Sequence, residues 1–242
     1  NPLEFNAHGR RVMFLLPWMV EGGADRVNID LIHGLVSGGA DVTVCATLEA
    51  DHRWLDRFKE LTPDIFILPN ILSLSDFPRF LLYLIASRNI DTVLVAGSTL
   101  GYQLLPYLRT EAPKTTFVDL SHTEEMHWLN GGHPRFGVGY QDALDMNVVS
   151  TGHLAKWMAE RNADSTKIRV MYTGIKSHPV SLSQPQRTET QRALGLDEHA
   201  LTIIFAGRMC NQKRPLKLAE ILHVLKQAGI RFNALIIGDG EL

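Results

Sequence analysis

Residues 203–215 read IIFAGRMCNQKRP, and this stretch decides the predicted fold class. Its apolar run ends at Gly207, which is typical of a strand buried on both faces of a parallel sheet. Pro215 then opens a segment with leucines at helical spacing, and proline is favoured in the first turn of a helix. The stretch therefore predicts a strand, a loop and a helix, with Arg208 and Lys213 on the loop.

Arg208 and Lys213 are candidate ligands of an anion. Ligands of open parallel α/β sheets bind outside the carboxyl ends of the strands, and free amides at the start of a helix favour anions. An arginine fork and a lysine charge in that place suit a diphosphate. Two solvated loop cations would have the same sequence, because loops are normally polar and exposed. These residues alone leave both interpretations open.

Length, composition and charge are those of an ordinary globular protein of one large or two modest domains. The 242 residues are 45% hydrophobic and 21% charged, and the formal net charge of -2 gives no indication of a nucleic-acid partner. We expect Cys45 and Cys210 to be free thiols in a reducing compartment. The longest apolar run, near residues 80–86, is shorter than the roughly 20 residues of a membrane-spanning helix. We therefore expect a cytoplasmic protein.

Strand-like and helix-like segments alternate along the chain from residue 11 onward. Residues 11–17 (RVMFLLP) have the pattern of a buried strand, and apolar residues at helical spacing then run up to Gly38. Further strands are predicted at residues 41–47, 65–68, 92–96, 115–120, 146–149 and 168–172, with helices at residues 54–61, 77–87 and 153–162 and one through Leu108. This alternation with short connections predicts the α/β class with a parallel, doubly wound sheet.

A change of composition to Ser, Pro and Gln over residues 176–186 indicates a linker. We predict an N-terminal Rossmann-like domain at residues 1–175, a linker at 176–188 and a partial second Rossmann-like domain at 189–242. That last part has two strong strands, which are few for an independent core of roughly sixty residues. We expect exposed apolar strand edges there, and no useful turnover by this chain alone.

The first domain offers a glycine turn and a histidine as candidate binding elements. Gly22 and Gly23 precede a predicted helix and permit a close backbone approach to a ligand, although a plain tight turn has the same sequence. Their spacing is not the dinucleotide fingerprint G-x-G-x-x-G, which disfavours a nicotinamide enzyme. His122 follows a predicted strand, where it either binds a ligand hydroxyl or developing charge or caps the next helix.

Two other features of this region have alternative interpretations. His122, His127 and His133 are close in sequence, but their spacing fits no zinc pattern and no cysteine lies nearby, so we expect no metal. Residues 130–140 contain four glycines and Pro134, which predicts a flexible loop. That loop either closes over an acceptor or is an ordinary mobile connection.

Five segments together resemble the GT-B nucleotide-sugar glycosyltransferases, specifically the retaining family 4 group. They occur in the order and spacing of that family over nearly the whole chain. They are GGADRV at residues 22–27, the strand-end His122, VVSTGHLAKWM from Val148, YTGI from Tyr172, and AGRMCNQKRP with IIGDGEL behind it.

The resemblance implies two facing Rossmann-like domains, with the donor held mainly by the second, the acceptor mainly by the first, and reaction in the cleft. By matching position, Arg208 and Lys213 would neutralise the donor diphosphate and stabilise it as a leaving group. Gly23, in the turn that it forms with Gly22, would place a backbone amide near the same phosphate. His122 would bind a hydroxyl of the donor sugar and help to stabilise an oxocarbenium-like state.

On the nucleotide side of the donor site, the resemblance implies a turn formed by Gly238 and Gly240. The chain departs from the family at the crossing between domains, where Thr173 and Lys176 replace the usual Asn and Asp. The paired glutamates of the family would lie beyond Leu242, and we expect the chain to be a fragment. No D-x-D carboxylate pair is present, which agrees with a metal-independent mechanism without a cofactor.

The expected function is transfer of a sugar from a nucleotide-diphosphate sugar to a glycan, lipid-linked or other hydroxyl acceptor in polysaccharide biosynthesis, with retention of the anomeric configuration. A lipid-linked acceptor would be compatible with peripheral contact at the inner face of the membrane. One alternative is a sugar-nucleotide epimerase of the same architecture, which breaks the same bond. The other is a non-catalytic sugar-nucleotide-binding or interaction domain.

Overall fold

The computed structural model describes residues 9–175 and 183–242, and the chain divides into two compact units. Unit 1 comprises Asn1–Ile175 and unit 2 comprises Lys176–Leu242. Residues 176–182 of the predicted linker lie outside the described residues, and the remainder of that segment, from Gln184, begins a helix. Lys176, at the crossing between the domains, also lies outside them.

Unit 1 is built on one parallel sheet, whose seven described strands all pair in parallel. In chain order they are β1 (Arg11–Leu16), β2 (Asp41–Ala46), β3 (Ile65–Ile67), β4 (Thr92–Ala96), β5 (Thr116–Ser121), β6 (Met146–Val149) and β7 (Ile168–Val170). Their order across the sheet is β3-β2-β1-β4-β5-β6-β7. The chain therefore reverses its winding between β1 and β4, and such a switch point opens a crevice at the carboxyl ends of the two strands.

Helices cover both faces of this sheet. Those described in unit 1 are α1 (Gly23–Ser37), α2 (Leu55–Lys59), α3 (Phe77–Ser87), α4 (Thr99–Glu111), α5 (His133–Gly139) and α6 (Gly152–Ala159). Strand β1 shows the consequence: Met13 and Leu15 pack in a core with α3 and α4, whereas Phe14 and Leu16 pack in a second core with α1 and α2. The apolar run of β1 is thus buried on both sides, and the predicted doubly wound α/β sheet is confirmed.

The predicted flexible loop at residues 130–140 is wrong, because most of it is helix α5. Pro134 stands in the first turn of α5, where proline is tolerated. Gly137 is buried, and a Cβ atom there would lie 2.5 Å from Oδ2 of Asp119. This glycine therefore records a close approach of the helix to β5 rather than mobility.

Unit 2 contains one strand, helix, strand repeat. After α7 (Gln184–Ala193) come β8 (Leu201–Ala206), α8 (Pro215–Gln227) and β9 (Phe232–Ile237), and β8 pairs with β9 in parallel. The strand, loop and helix predicted from residues 203–215 are thus present. Helix α7 begins at a capping box formed by Ser183 and Gln186.

The described part of unit 2 leaves much of its apolar surface exposed. Ile204 of β8 is 62% exposed and Ile236 of β9 is 54% exposed. Burial of β8 on both faces, as its sequence predicted, is therefore wrong, because a two-stranded sheet with so few neighbouring elements cannot be covered on both sides. The expectation of exposed apolar strand edges is confirmed.

Candidate functional site

In unit 1, the ends of β1 and β4 and the start of α5 meet at the switch point. Gly97 directly follows β4 and has φ +73, in the left-handed region that favours glycine. A Cβ atom at this position would lie 3.7 Å from Cε1 of His133 and 3.8 Å from Cδ of Pro17. The backbone thus passes between the end of β1 and the first residue of α5, at the edge where open parallel sheets bind ligands.

His122 lies at the same edge, directly after β5. Its backbone carbonyl accepts a hydrogen bond from Oγ of Ser150 at 2.6 Å, which ties the end of β5 to the end of β6. The side chain is half-buried, and this burial lowers the pKa of the imidazole below its usual value. The ring is therefore neutral at pH 7 and can both donate and accept a hydrogen bond.

His133, the first residue of α5, is a second half-buried histidine at this edge. Its pKa is lowered by burial and by His122, against the opposite effect of a hydrogen bond with the backbone of Gly97. The ring stacks on Tyr102 at 6.1 Å between centroids and meets the ring of Trp128 edge-on at 4.9 Å. The sequence suggests for His133 only the role of a metal ligand, because its place at this edge depends on the strand order.

The glycine turn follows β1 and leads into α1. Gly23 is the first residue of α1, and no atom lies within 4 Å of the position that its Cβ would take, so the backbone there is open. At Gly22 a Cβ would lie 3.3 Å from Oδ2 of Asp25. Asp25 is a buried residue of this turn that the sequence did not indicate. Its burial raises the pKa of the carboxyl group to about 6, and the carboxylate accepts a hydrogen bond from the amide of Val20 at 3.4 Å. Phosphate binding at this turn stays a prediction.

In unit 2, both predicted cations lie on the loop between β8 and α8. Arg208 follows Gly207 at the end of β8, and Lys213 closes a 3-10 turn at Asn211–Lys213. Arg214, the next residue, has φ 54 and therefore holds a left-handed conformation that is unfavourable for a non-glycine residue. Arg208 and Lys213 are exposed, and neither forms an ion pair with the residues that the structure describes.

Gly238 and Gly240 fit this loop against the end of β9. A Cβ at Gly238 would lie 2.0 Å from the carbonyl oxygen of Gly207, and one at Gly240 would lie 2.3 Å from that of Met209. The amide of Met209 donates a hydrogen bond to the carbonyl of Asp239 at 2.9 Å. Both glycines are thus required for backbone packing whether or not a nucleotide binds, and their role at a nucleotide stays a prediction.

The predicted site residues therefore divide between the units. Gly22, Gly23 and His122 belong to unit 1, and the two cations with Gly238 and Gly240 belong to unit 2; each set lies at the carboxyl ends of the strands of its own sheet. Among the described residues, no group of three or more His, Cys, Asp and Glu side chains could hold a metal ion. The helices of residues 9–175 and 183–242 include none long and apolar enough to cross a membrane.

No protein-family model and no curated protein matches the chain. Several solved structures, however, match the chain. A lipopolysaccharide outer core galactosyltransferase, WaaB, superposes with TM-score 0.67 at 15% identity, over 96% of this chain and 61% of that protein. HepE from Anabaena in complex with UDP superposes with TM-score 0.68 at 11% identity, over 94% of this chain and 69% of HepE.

A UDP-GlcNAc 2-epimerase from Neisseria meningitidis, bound to UDP-GlcNAc, superposes with TM-score 0.57 at 12% identity, over 93% of this chain and 66% of that protein. The chain thus spans about three fifths to two thirds of the length of these proteins. At such identities the likeness concerns the fold. The chain has an α/β fold like that of GT-B glycosyltransferases, as its sequence predicted.

Proposed function

We propose that the chain binds a nucleotide-diphosphate sugar through Arg208 and Lys213, and that its protein transfers the sugar to a hydroxyl acceptor with retention of the anomeric configuration. The observation that carries this proposal is the loop after β8, where cations without a carboxylate partner stand at the end of a parallel strand. Among the described residues of unit 2, Arg192, Lys217 and Arg231 pair with acidic side chains. The loop cations are thus available to an external anion.

The cations suit the chemistry of a leaving diphosphate. When the bond between sugar and phosphate breaks, negative charge accumulates on the diphosphate, and fixed positive groups lower the energy of that state. Arg208 can donate two parallel hydrogen bonds and Lys213 supplies a point charge. Arg214 keeps a left-handed conformation just before α8, and strained backbone of this kind clusters at functional sites. We propose that protein cations act here without a metal ion.

His122 supplies the neutral part of the proposed site. As a neutral imidazole at the end of β5, it can bind a sugar hydroxyl and remain close to the positive charge of an oxocarbenium-like state without repelling it. The proteins with this fold include HepE solved with UDP-glucose, which supports a nucleotide sugar as the donor. We further propose a glycan or lipid-linked acceptor and family 4 membership, on the motifs of residues 22–27 and 206–215.

Calorimetric titration of the full chain with UDP-glucose and UDP tests the binding step. A hydrogen bond to a charged group contributes about 1.5–3 kcal/mol, so Arg208→Ala should weaken binding about 10- to 100-fold. Lys226→Ala is the matched control, since Lys226 is an exposed, unpaired cation at the other end of α8. Equal affinity of wild type and Arg208→Ala would refute the role of the loop. Absence of UDP, GDP and ADP sugar binding would favour the interaction domain.

The epimerase alternative is supported by the fold shared with UDP-GlcNAc 2-epimerases. Product analysis with a radiolabelled donor separates the two reactions. A transferase places the label on the acceptor, and an epimerase leaves it on a free or nucleotide-linked sugar of changed configuration. The anomeric configuration of a transferred sugar, measured by NMR, tests retention.

A further inference from the structure

Three aromatic side chains lie at the carboxyl-end edge of the sheet of unit 1. His133 lies over Gly97 at the end of β4, Trp128 meets the His133 ring edge-on, and His122 directly follows β5 at the same edge. His122, Trp128 and His133 are each half-buried, so each residue keeps part of its surface in contact with solvent. We call these three residues the aromatic cluster.

The segment that presents Trp128 and His133 holds an unfavourable backbone. Leu129 and Asn130 have φ 49 and φ 53, and the two glycines that follow also have positive φ. A left-handed conformation is unfavourable for Leu129, whereas asparagine adopts it more readily. Leu129 is 58% exposed, so burial of its side chain does not explain the conformation. The amides of Gly131 and Gly132 donate hydrogen bonds to the carbonyl of Trp128, so the segment closes a tight turn that holds Trp128 beside His133.

Contacts with Tyr102 and the packing of helix α5 hold the ring of His133 in position. Its ring stacks on Tyr102, whose hydroxyl donates a hydrogen bond to the buried carboxylate of Asp119 at 2.9 Å. Helix α5, which begins at His133, packs onto the same carboxylate through Gly137. A ring held in this way loses little conformational entropy when a ligand binds, which favours a binding role.

The chemistry of the cluster suits a neutral ligand rich in hydroxyl groups. Both imidazoles are neutral at pH 7, because burial lowers both pKa values. One ring N–H of His133 donates a hydrogen bond to the backbone of Gly97. In the neutral ring, the other nitrogen can then accept a hydrogen bond from a hydroxyl. Trp128 adds an apolar ring against which the C–H face of a sugar can pack.

We propose that His133 and Trp128, together with His122, bind the hydroxyl-bearing face of a neutral sugar ring at the end of β4. This inference rests on the proposed function for the identity of the ligand as a sugar, and it adds His133 and Trp128 as binding residues of unit 1. The sugar is either that of the donor or that of a glycan acceptor.

The test follows the imidazole signals of the full chain by NMR while methyl α-glucoside, methyl α-galactoside or methyl N-acetyl-α-glucosaminide is added. His122→Asn and His133→Asn assign the two signals among the ten histidines. We expect at least one glycoside to shift both signals with a single dissociation constant. Loss of one neutral hydrogen bond should weaken its binding to His133→Asn about fivefold. His127→Asn, an exposed histidine on the same segment, is the matched control and should bind as wild type does.

Three further readouts separate this proposal from its alternatives. Unchanged UDP affinity and an unchanged unfolding midpoint in His133→Asn exclude a merely structural effect. Persistence of the glycoside shifts at saturating UDP-glucose assigns the ring to the acceptor, and their loss assigns it to the donor sugar. The proposal is overturned if no glycoside shifts the two signals, or if His133→Asn and Trp128→Leu both bind as wild type does. Failure of the proposed function alone would abolish UDP binding and leave the glycoside shifts.

Discussion

Replacement of Gly137 by alanine tests the packing that holds α5 and His133 in place. A Cβ at this position would lie 2.5 Å from Oδ2 of Asp119 and 3.2 Å from both Nδ2 of Asn147 and Cε of Met158. The carboxylate cannot turn away freely, because Tyr102 and Asn147 each donate a hydrogen bond to it, at 2.9 Å and 2.8 Å. Either the helix or this hydrogen-bonded group must therefore shift.

Two opposing effects set the expected size of the change. Extra atoms in a close-packed core cost about 1–3 kcal/mol. Alanine in place of glycine within a helix gains about 0.5–1 kcal/mol. If the shift also breaks the bond from Tyr102, a buried group is left unsatisfied at a further cost of about 1 kcal/mol or more. We expect Gly137→Ala to lower the free energy of unfolding of unit 1 by about 2 kcal/mol.

Urea unfolding followed by tryptophan fluorescence measures this change, because all four tryptophans lie within unit 1. Gly34→Ala is the matched control, because Gly34 is an exposed residue within α1 and no atom lies within 4 Å of its Cβ position. The free energy of unfolding of this variant should therefore rise by about 0.5–1 kcal/mol. In an Asp119→Ala background the cost of Gly137→Ala should shrink, since the obstructing oxygen is gone. The reasoning is refuted if Gly137→Ala is as stable as wild type while Gly34→Ala behaves as expected.

Two further predictions concern buried carboxylates of unit 1. Burial raises the pKa of Asp119 to about 7, so its contribution to stability is complete below the unfolded pKa of about 4 and is lost as the pH rises to about 7. Urea unfolding at a series of pH values should therefore show a weaker pH dependence for Asp119→Asn than for wild type, and parallel curves would contradict this. Arg88 donates hydrogen bonds of 2.6 Å and 2.8 Å to the buried Asp64. Arg88→Met leaves that carboxylate buried without its partner, so it should lower the free energy of unfolding at pH 7 by about 3–5 kcal/mol in the same assay. A loss below about 1 kcal/mol would show that the pair contributes little.

Local apolar patterns were sufficient to predict much of the fold. Strands β4 and β6 and helix α3 begin and end where the pattern placed them, because each is an apolar segment bounded by clear breaks. Helix α5 was missed because its glycines and proline are typical of loops, whereas Gly137 is required by the nearby Asp119. Tertiary packing here overrides the local preference of the chain.

The residues of the candidate site also differ in whether the local sequence or only the tertiary structure identifies them. His122 could be found from the sequence, since it directly follows a strand. His133 could not, because it lies eleven positions further along and reaches the switch point only through the strand order and the stacking on Tyr102. Asp119 gives one local signal, because it is the single charged residue of strand β5.

The cations of the predicted donor site support the nucleotide-sugar proposal more strongly than its glycines do. Gly238 and Gly240 are fully explained by the close approach of their backbone to Gly207 and Met209, so a fold without any ligand would require them equally. Unpaired cations are not explained in this way, because a fold gains nothing from leaving like charges close together on one loop. Three of the five cations without an acidic partner in residues 183–242 lie within residues 208–214. The nucleotide-sugar proposal therefore depends on the cations of this loop, for which we propose an anionic ligand, and not on its glycines.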